Sequence, residues 1–118
     1  MNESLGSVLE DKRGLAPASA DSGQESIWIA ASQCGDGVAF NRLVLRWEKS
    51  IYNLGLRMLQ DPDEAAEASQ EVFLAAFRNI RRFRQDAKFS TWLFRIAVNH
   101  CITRLRRRPP GVHYSLDD

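Results

Sequence analysis

Residues 83–108, FRQDAKFSTWLFRIAVNHCITRLRRR, place guanidinium groups, aromatic rings and one amide where a polyanion carrying flat bases could use all three. Residues 78–108 hold ten of the chain's sixteen Lys and Arg residues (Arg78, Arg81, Arg82, Arg84, Lys88, Arg95, Arg104, Arg106, Arg107, Arg108) against one carboxylate, Asp86. A formal net charge of +1 therefore conceals a strongly polarised molecule, and the partner of the basic segment should be a nucleic acid. At about 100° per residue, Trp92, Arg95, Asn99, Thr103 and Arg106 form one ridge of a helix, with Leu93, Phe94, Ala97, Val98, Cys101 and Leu105 opposite. Arginine binds phosphate oxygens through charge-assisted hydrogen bonds, asparagine can bond base edges, and an exposed tryptophan can stack on or wedge against a base pair. Just before the ridge, Phe83 and Phe89 bracket Arg84, Gln85, Asp86, Ala87 and Lys88, so a short loop pinned at both ends could hold an extruded base. The competing readings are a solvated arginine-rich face, with Phe83 and Phe89 as core plugs.

A second chemistry lies upstream. Asp61, Asp63, Glu64, Glu67 and Glu71 occur without an intervening basic residue, and helical projection places Asp63, Glu64, Glu67, Gln70, Glu71 and Leu74 together. Solvated acids that complement the helix dipole would account for most of this face. Leu74 among carboxylates is different: an apolar spot rimmed by negative charge can dock a basic protein helix. Catalysis is not expected, because there is no Gly-rich phosphate loop, no nucleophile elbow, and neither His100 nor His113 stands at metal-ligand spacing. His100 should flank the core of the last helix, Cys34 and Cys101 should be small buried or partly buried hydrophobes, and neither zinc nor any other cofactor is implied.

These groups need rods to position them. Residues 1–23 mix Gly, Ser, Ala and Pro without an apolar period and read as a flexible tail. An apolar segment over residues 22–33 ending at Gly35 predicts a first helix, and Asp36 can cap a second, in which Phe40, Leu43, Val44, Trp47, Ile51, Leu54 and Met58 form the inward stripe. Asp61-Pro62-Asp63-Glu64 has the form of an N-cap, a proline at the first helical position and a capping-box glutamate, and so starts a third helix. In it Ala65, Ala68, Ser69, Val72, Phe73, Ala76 and Ile80 face inward. Ser90 offers an N-cap for a fourth helix that ends before Pro109-Pro110. No strand-like alternation appears, so the expectation is an all-α chain: a compact bundle of about four helices over residues 24–108, with residues 109–118 starting an interdomain linker. No apolar run approaches membrane-spanning length and no leader pattern is seen, which predicts a soluble, cytoplasmic protein.

From Ala39-Phe40 to Arg108 the sequence resembles region 2 of bacterial sigma factors of the extracytoplasmic-function group. The resemblance rests on DPDEAAEASQEVFLAAFR, FRQDAKFSTWLFRIAVN and the closing RLRRRPP, in the family's order and spacing. It implies a subunit that joins core RNA polymerase, recognises the promoter −10 element and helps to open the strands. The third helix would then dock on the clamp helices of the beta-prime subunit through Glu67, Gln70, Glu71 and Leu74, with Asp63 on the same acidic face. The loop from Arg84 to Phe89, comprising Gln85, Asp86, Ala87 and Lys88 between them, would hold a base flipped from the non-template strand. Asn99 would read another −10 base, Trp92 would lie near the melting junction, and Arg95, Arg104, Arg107 and Arg108 would contact phosphates. Thr103 and Arg106 complete the DNA ridge. No recognisable region 4 is seen, so the sequence is either an excised domain or an unusually short protein, with Pro109-Pro110, as the start of an interdomain linker, favouring the excised domain; relatives vary freely at Gln85 and Lys88, so the preferred base is left open. Two alternatives use the same residues: a non-specific nucleic-acid-binding module, and an interaction scaffold bound by an anti-sigma-type inhibitor.

Overall fold

A computed structural model describes residues 22–109; the expectations for the amino-terminal tail up to residue 21 and for residues 110–118 lie outside the described residues. Those residues form four α-helices, α1 (Ser22–Gln33), α2 (Gly37–Leu59), α3 (Pro62–Asn79) and α4 (Phe89–Arg106), with a 3-10 turn at Ile80–Arg82 and no strand. The all-α expectation and the number of helices hold. By internal contacts the chain divides within α2 into two units, at Ser50 and Ile51.

In the first unit, α1 stops where Gly35 takes φ +97°, a conformation that costs glycine little. Its amide donates to the Ser32 carbonyl at 2.9 Å, and the Asp36 amide donates to the Ala31 carbonyl at 3.1 Å. Asp36 then caps α2 as expected, its Oδ1 accepting from the amides of Val38 at 2.9 Å and Ala39 at 3.1 Å. Ile29 and Leu43 are buried, and polar groups tie the two helices: the Trp47 indole Nε1 donates to Glu25 at 2.7 Å, and the Arg46 guanidinium lies 4.9 Å from the centre of the Trp28 ring. Cys34 is exposed, which corrects the expectation of a buried hydrophobe, because it sits in the turn after α1 and not on its inward face.

In the second unit, α3 packs along α4. Asp61 opens α3, with Oδ1 accepting from the amides of Asp63 at 2.8 Å and Glu64 at 3.2 Å, and Pro62 at the first helical position has no amide to leave unpaired. The capping box is only half made, since the Glu64 carboxylate meets Arg108 at 2.9 Å. Replacing Asp61 with alanine orphans two amides and should cost about 0.5–2 kcal/mol in chemical denaturation; an unchanged midpoint would show that the proline alone sets the helix start.

Ala65, Ala68, Val72, Phe73 and Ala76 are buried on α3, and Phe89, Leu93, Ala97 and Cys101 on α4. Small residues permit close approach. Ala68 sits in a cluster with Leu59 and Cys101, flanked by Met58 and Leu105, and a Cβ placed on Gly55 would come 3.4 Å from the Ala65 Cα. Burial raises the Cys101 thiol pKa. Ser90 is not the cap of α4. The cap position falls two residues earlier, at an extended Lys88, and the helix starts at Phe89, because burial of the Phe89 ring fixes the chain there without a side-chain cap.

Candidate nucleic-acid and protein interfaces

The 3-10 turn carries the chain from α3 into Phe83, whose ring is buried against Phe89 in an edge-on contact, with centroids 5.6 Å apart and planes at 87°. Trp92 closes a triangle, 5.2 Å from Phe83 and 5.6 Å from Phe89. Aromatic contacts of this kind hold both ends of a five-residue loop while its members Arg84, Gln85, Asp86, Ala87 and Lys88 stay exposed. Within the loop the Ala87 amide donates to the Arg84 carbonyl at 3.2 Å, and Arg84 pairs with Asp86 at 3.4 Å. The expected arrangement of polar groups between apolar anchors is therefore present. Phe89 itself is a correction to the nucleic-acid-binding set: at 5% exposure its ring is a plug that positions the loop and offers no face to a base.

Trp92 is half-buried, and its remaining surface lines an open groove of about 360 Å³ with Ala75, Asn79, Arg82, Ile96, Asn99 and His100. The structure thus brings Trp92 and Asn99 to one concavity, seven residues apart on the same face of α4. Asn79, Arg82 and His100 join them, and sequence reasoning had assigned none of them to the site. Arg82 lay inside the basic run and could have been singled out; nothing in the spacing pointed to Asn79, whose Nδ2 donates to the Ala75 carbonyl at 2.8 Å. His100 is half-buried, as a core flank would be, but also faces this groove, with Nδ1 3.8 Å from Glu71. Arg95, Arg106 and Arg107 are exposed. Thr103 is exposed too, with its hydroxyl donating to the Asn99 carbonyl at 2.9 Å.

Arg104 and Arg108 depart from the expected arrangement. Arg104 turns toward α3: Nε donates to Glu71 Oε1 at 3.3 Å, Nη2 to Glu71 Oε2 at 2.9 Å and to Glu67 Oε1 at 3.2 Å, and Nη1 lies 3.6 Å from Glu64. Arg108 Nη2 donates to the Leu59 carbonyl and to Glu64, both at 2.9 Å. Their side chains are only 18% and 15% exposed, so as they stand these two arginines bind the helices together. The hydrogen bonds from Arg104 hold the Glu71 carboxyl below the ordinary glutamate range, and the same bonds raise the Arg104 pKa.

On α3, Asp63, Glu67, Gln70, Glu71 and Leu74 are all exposed, and Leu74 retains 55% of its surface. Phe77, one turn further on, is 42% exposed and enlarges the apolar spot; the sequence projection did not include it. The face is less negative than its sequence suggests, because Glu67 and Glu71 share Arg104. The expected division of carboxylates onto one helix and guanidinium groups onto another is thus partly cancelled at the seam between them.

The family model for sigma-70 region 2 matches residues 43–109, more than half of the chain. Among curated proteins, the chain is 38% identical over 99 residues to the RNA polymerase sigma-H factor of Pseudomonas aeruginosa, covering 80% of this chain and 51% of that protein. It is 45% identical over 83 residues to the ECF RNA polymerase sigma factor SigW of Bacillus subtilis, covering 70% and 43%. The chain spans about half the length of these relatives. A solved structure, an engineered region 2 of sigmaE in complex with GTAAAA, matches at a TM-score of 0.66 and 36% identity, over 70% of this chain and 85% of that one. Among the described residues no helix is long and apolar enough to cross a membrane. With four helices, an exposed loop held by an aromatic triangle and a Trp–Asn groove beside it, the chain belongs to the sigma-70 region 2 family, in its extracytoplasmic-function group.

Proposed function

We propose that this chain is the part of a sigma factor that attaches to core RNA polymerase and captures the opened −10 element of a promoter. It has no catalytic role of its own. The observation that carries the reading is the groove in which Trp92 and Asn99 meet Arg82, next to the exposed loop 84–88. There a ring can stack, amides can meet base edges, and cations can hold the backbone of a single strand. Gln85, Asp86, Lys88 and the backbone of Ala87 would surround one extruded base, while Arg84, Arg95, Arg106 and Arg107 would contact phosphates and set orientation more than sequence choice. On α3, Asp63, Glu67, Gln70, Glu71 and Leu74 would meet the clamp helices of the beta-prime subunit.

The test is a panel of labelled single strands built on GTAAAA, the strand held by the sigmaE relative, with each base varied in turn at one fixed moderate salt concentration. Affinities should spread by about tenfold or more across the panel. Equal binding of every strand would favour the non-specific module. Asn99→Ala should flatten the preference at one position, by about 1–3 kcal/mol if its amide reads a base edge, with little change at the others. A uniform weakening at all positions would make Asn99 a backbone contact.

A further inference from the structure

Within the first unit, Val38 and Leu45 keep 69% and 61% of their surface exposed, and their spacing of seven residues puts them on one stripe of α2. Arg42 and Lys49 project within about 40° of the same stripe at the helical step. Both are exposed, and neither is ion-paired among the described residues. The core side of this stretch is already covered, with Ala39, Phe40, Leu43 and Trp47 buried. Apolar side chains scattered singly over a surface are ordinary, but two in register between two cations make a strip suited to an acidic, apolar segment. A second copy of the same strip is a poor occupant, because it would bring like charges together.

The sequence ahead of α1 holds such a segment. Residues 1–11 carry Glu3, Glu10 and Asp11 with no Lys or Arg, and Leu5, Val8 and Leu9 stand at steps of three and four, on one side of a helical turn. Alone, so few apolar groups do not offset the entropy of ordering the segment. Reach is sufficient: Glu25, in the first turn of α1, accepts from the Trp47 indole, so α1 begins beside that part of α2. Residues 10–21 can then span up to about 40 Å, against a helix about 10–12 Å across. A tether of this kind holds the segment near the stripe at about millimolar effective concentration, so weak contacts suffice. We propose that residues 5–11 lie along the outward stripe of α2, with Leu5, Val8 and Leu9 against Val38 and Leu45 and with Glu10 and Asp11 facing Arg42 and Lys49. This contact uses no residue of either interface proposed above and does not rest on them.

The experiment is paramagnetic broadening in the 118-residue chain. Cys34 is exposed in the turn before α2 and takes a nitroxide label selectively, since Cys101 is buried and burial raises its thiol pKa. The amide signals of residues 5–11 should drop to about half or less of their intensity in the reduced, diamagnetic sample, as a mostly docked segment requires. Leu45→Glu should restore most of that intensity. Leu9→Ser should do the same, and because it lies outside the four helices it decides the matter should Leu45→Glu lose helical circular dichroism. Signals that are equal in the two samples, or a loss that neither substitution changes, overturn the inference and leave the stripe open to another protein. A loss that instead passes between spin-labelled molecules and separate isotope-enriched ones gives the stripe to a second copy, and the assignment to residues 5–11 of the same chain falls.

Discussion

Leu93→Ala should lower the unfolding free energy by about 2–5 kcal/mol, the usual cost of emptying a buried leucine site. Leu93 has no exposed surface, and it lies between Phe89 and Ala97 on the inward face of α4, one turn from the ring that fixes the start of that helix. The loss should appear as a lower midpoint in urea with an unchanged slope. Strand affinity, extrapolated to fully folded protein, should stay near the wild-type value, because Leu93 is itself part of neither the groove lining nor the exposed loop. A cost under about 1 kcal/mol would mean that neighbouring side chains collapse into the space, and α4 would then be held by its edges more than by its centre.

Leu74→Arg should abolish measurable association with core polymerase, a loss of at least about 2 kcal/mol if Leu74 is the apolar centre of the docking face, while the fold survives. With 55% of its surface exposed, Leu74 can be replaced without opening a cavity. An arginine there would set a cation among the acids that polymerase is proposed to meet, removing apolar contact and local negative charge together. Reversing Glu67 and Glu71 to lysine is the less discriminating variant, because it would leave Arg104 facing two cations and weaken the α3–α4 seam as well. Circular dichroism separates a binding defect from a folding one. Wild-type polymerase affinity in Leu74→Arg would remove the docking role from this face.

Much of the fold could be read from local spacing. Asp61-Pro62 announces the start of α3 because the cap and the missing proline amide act within four residues, and Asp36 does the same for α2. The inward arcs of α3 and α4 follow from the 100° step, which needs no knowledge of a partner. The start of α4 misled for an equally physical reason: Ser90 is a good local cap, but the burial of Phe89 between Phe83 and Trp92 outweighs it. The same packing turned Phe89 from a possible stacking face into a plug.

By itself, the order of residues determined that the chain is helical, that α3 shows acids and a leucine outward, and that α4 carries a ring, an amide and arginines along one ridge. Helical period depends only on neighbours three and four positions away. Only the tertiary structure decided which charges remain available. Arg104 and Glu71 are 33 positions apart, and Arg108 and Glu64 are 44 apart. Whether such groups meet depends on the rotation and register of α3 against α4, where the small buried Ala68 and Cys101 pack in one cluster. The same register makes the groove, because Asn79 and Arg82 reach Trp92 and Asn99 only once the end of α3 is laid along α4.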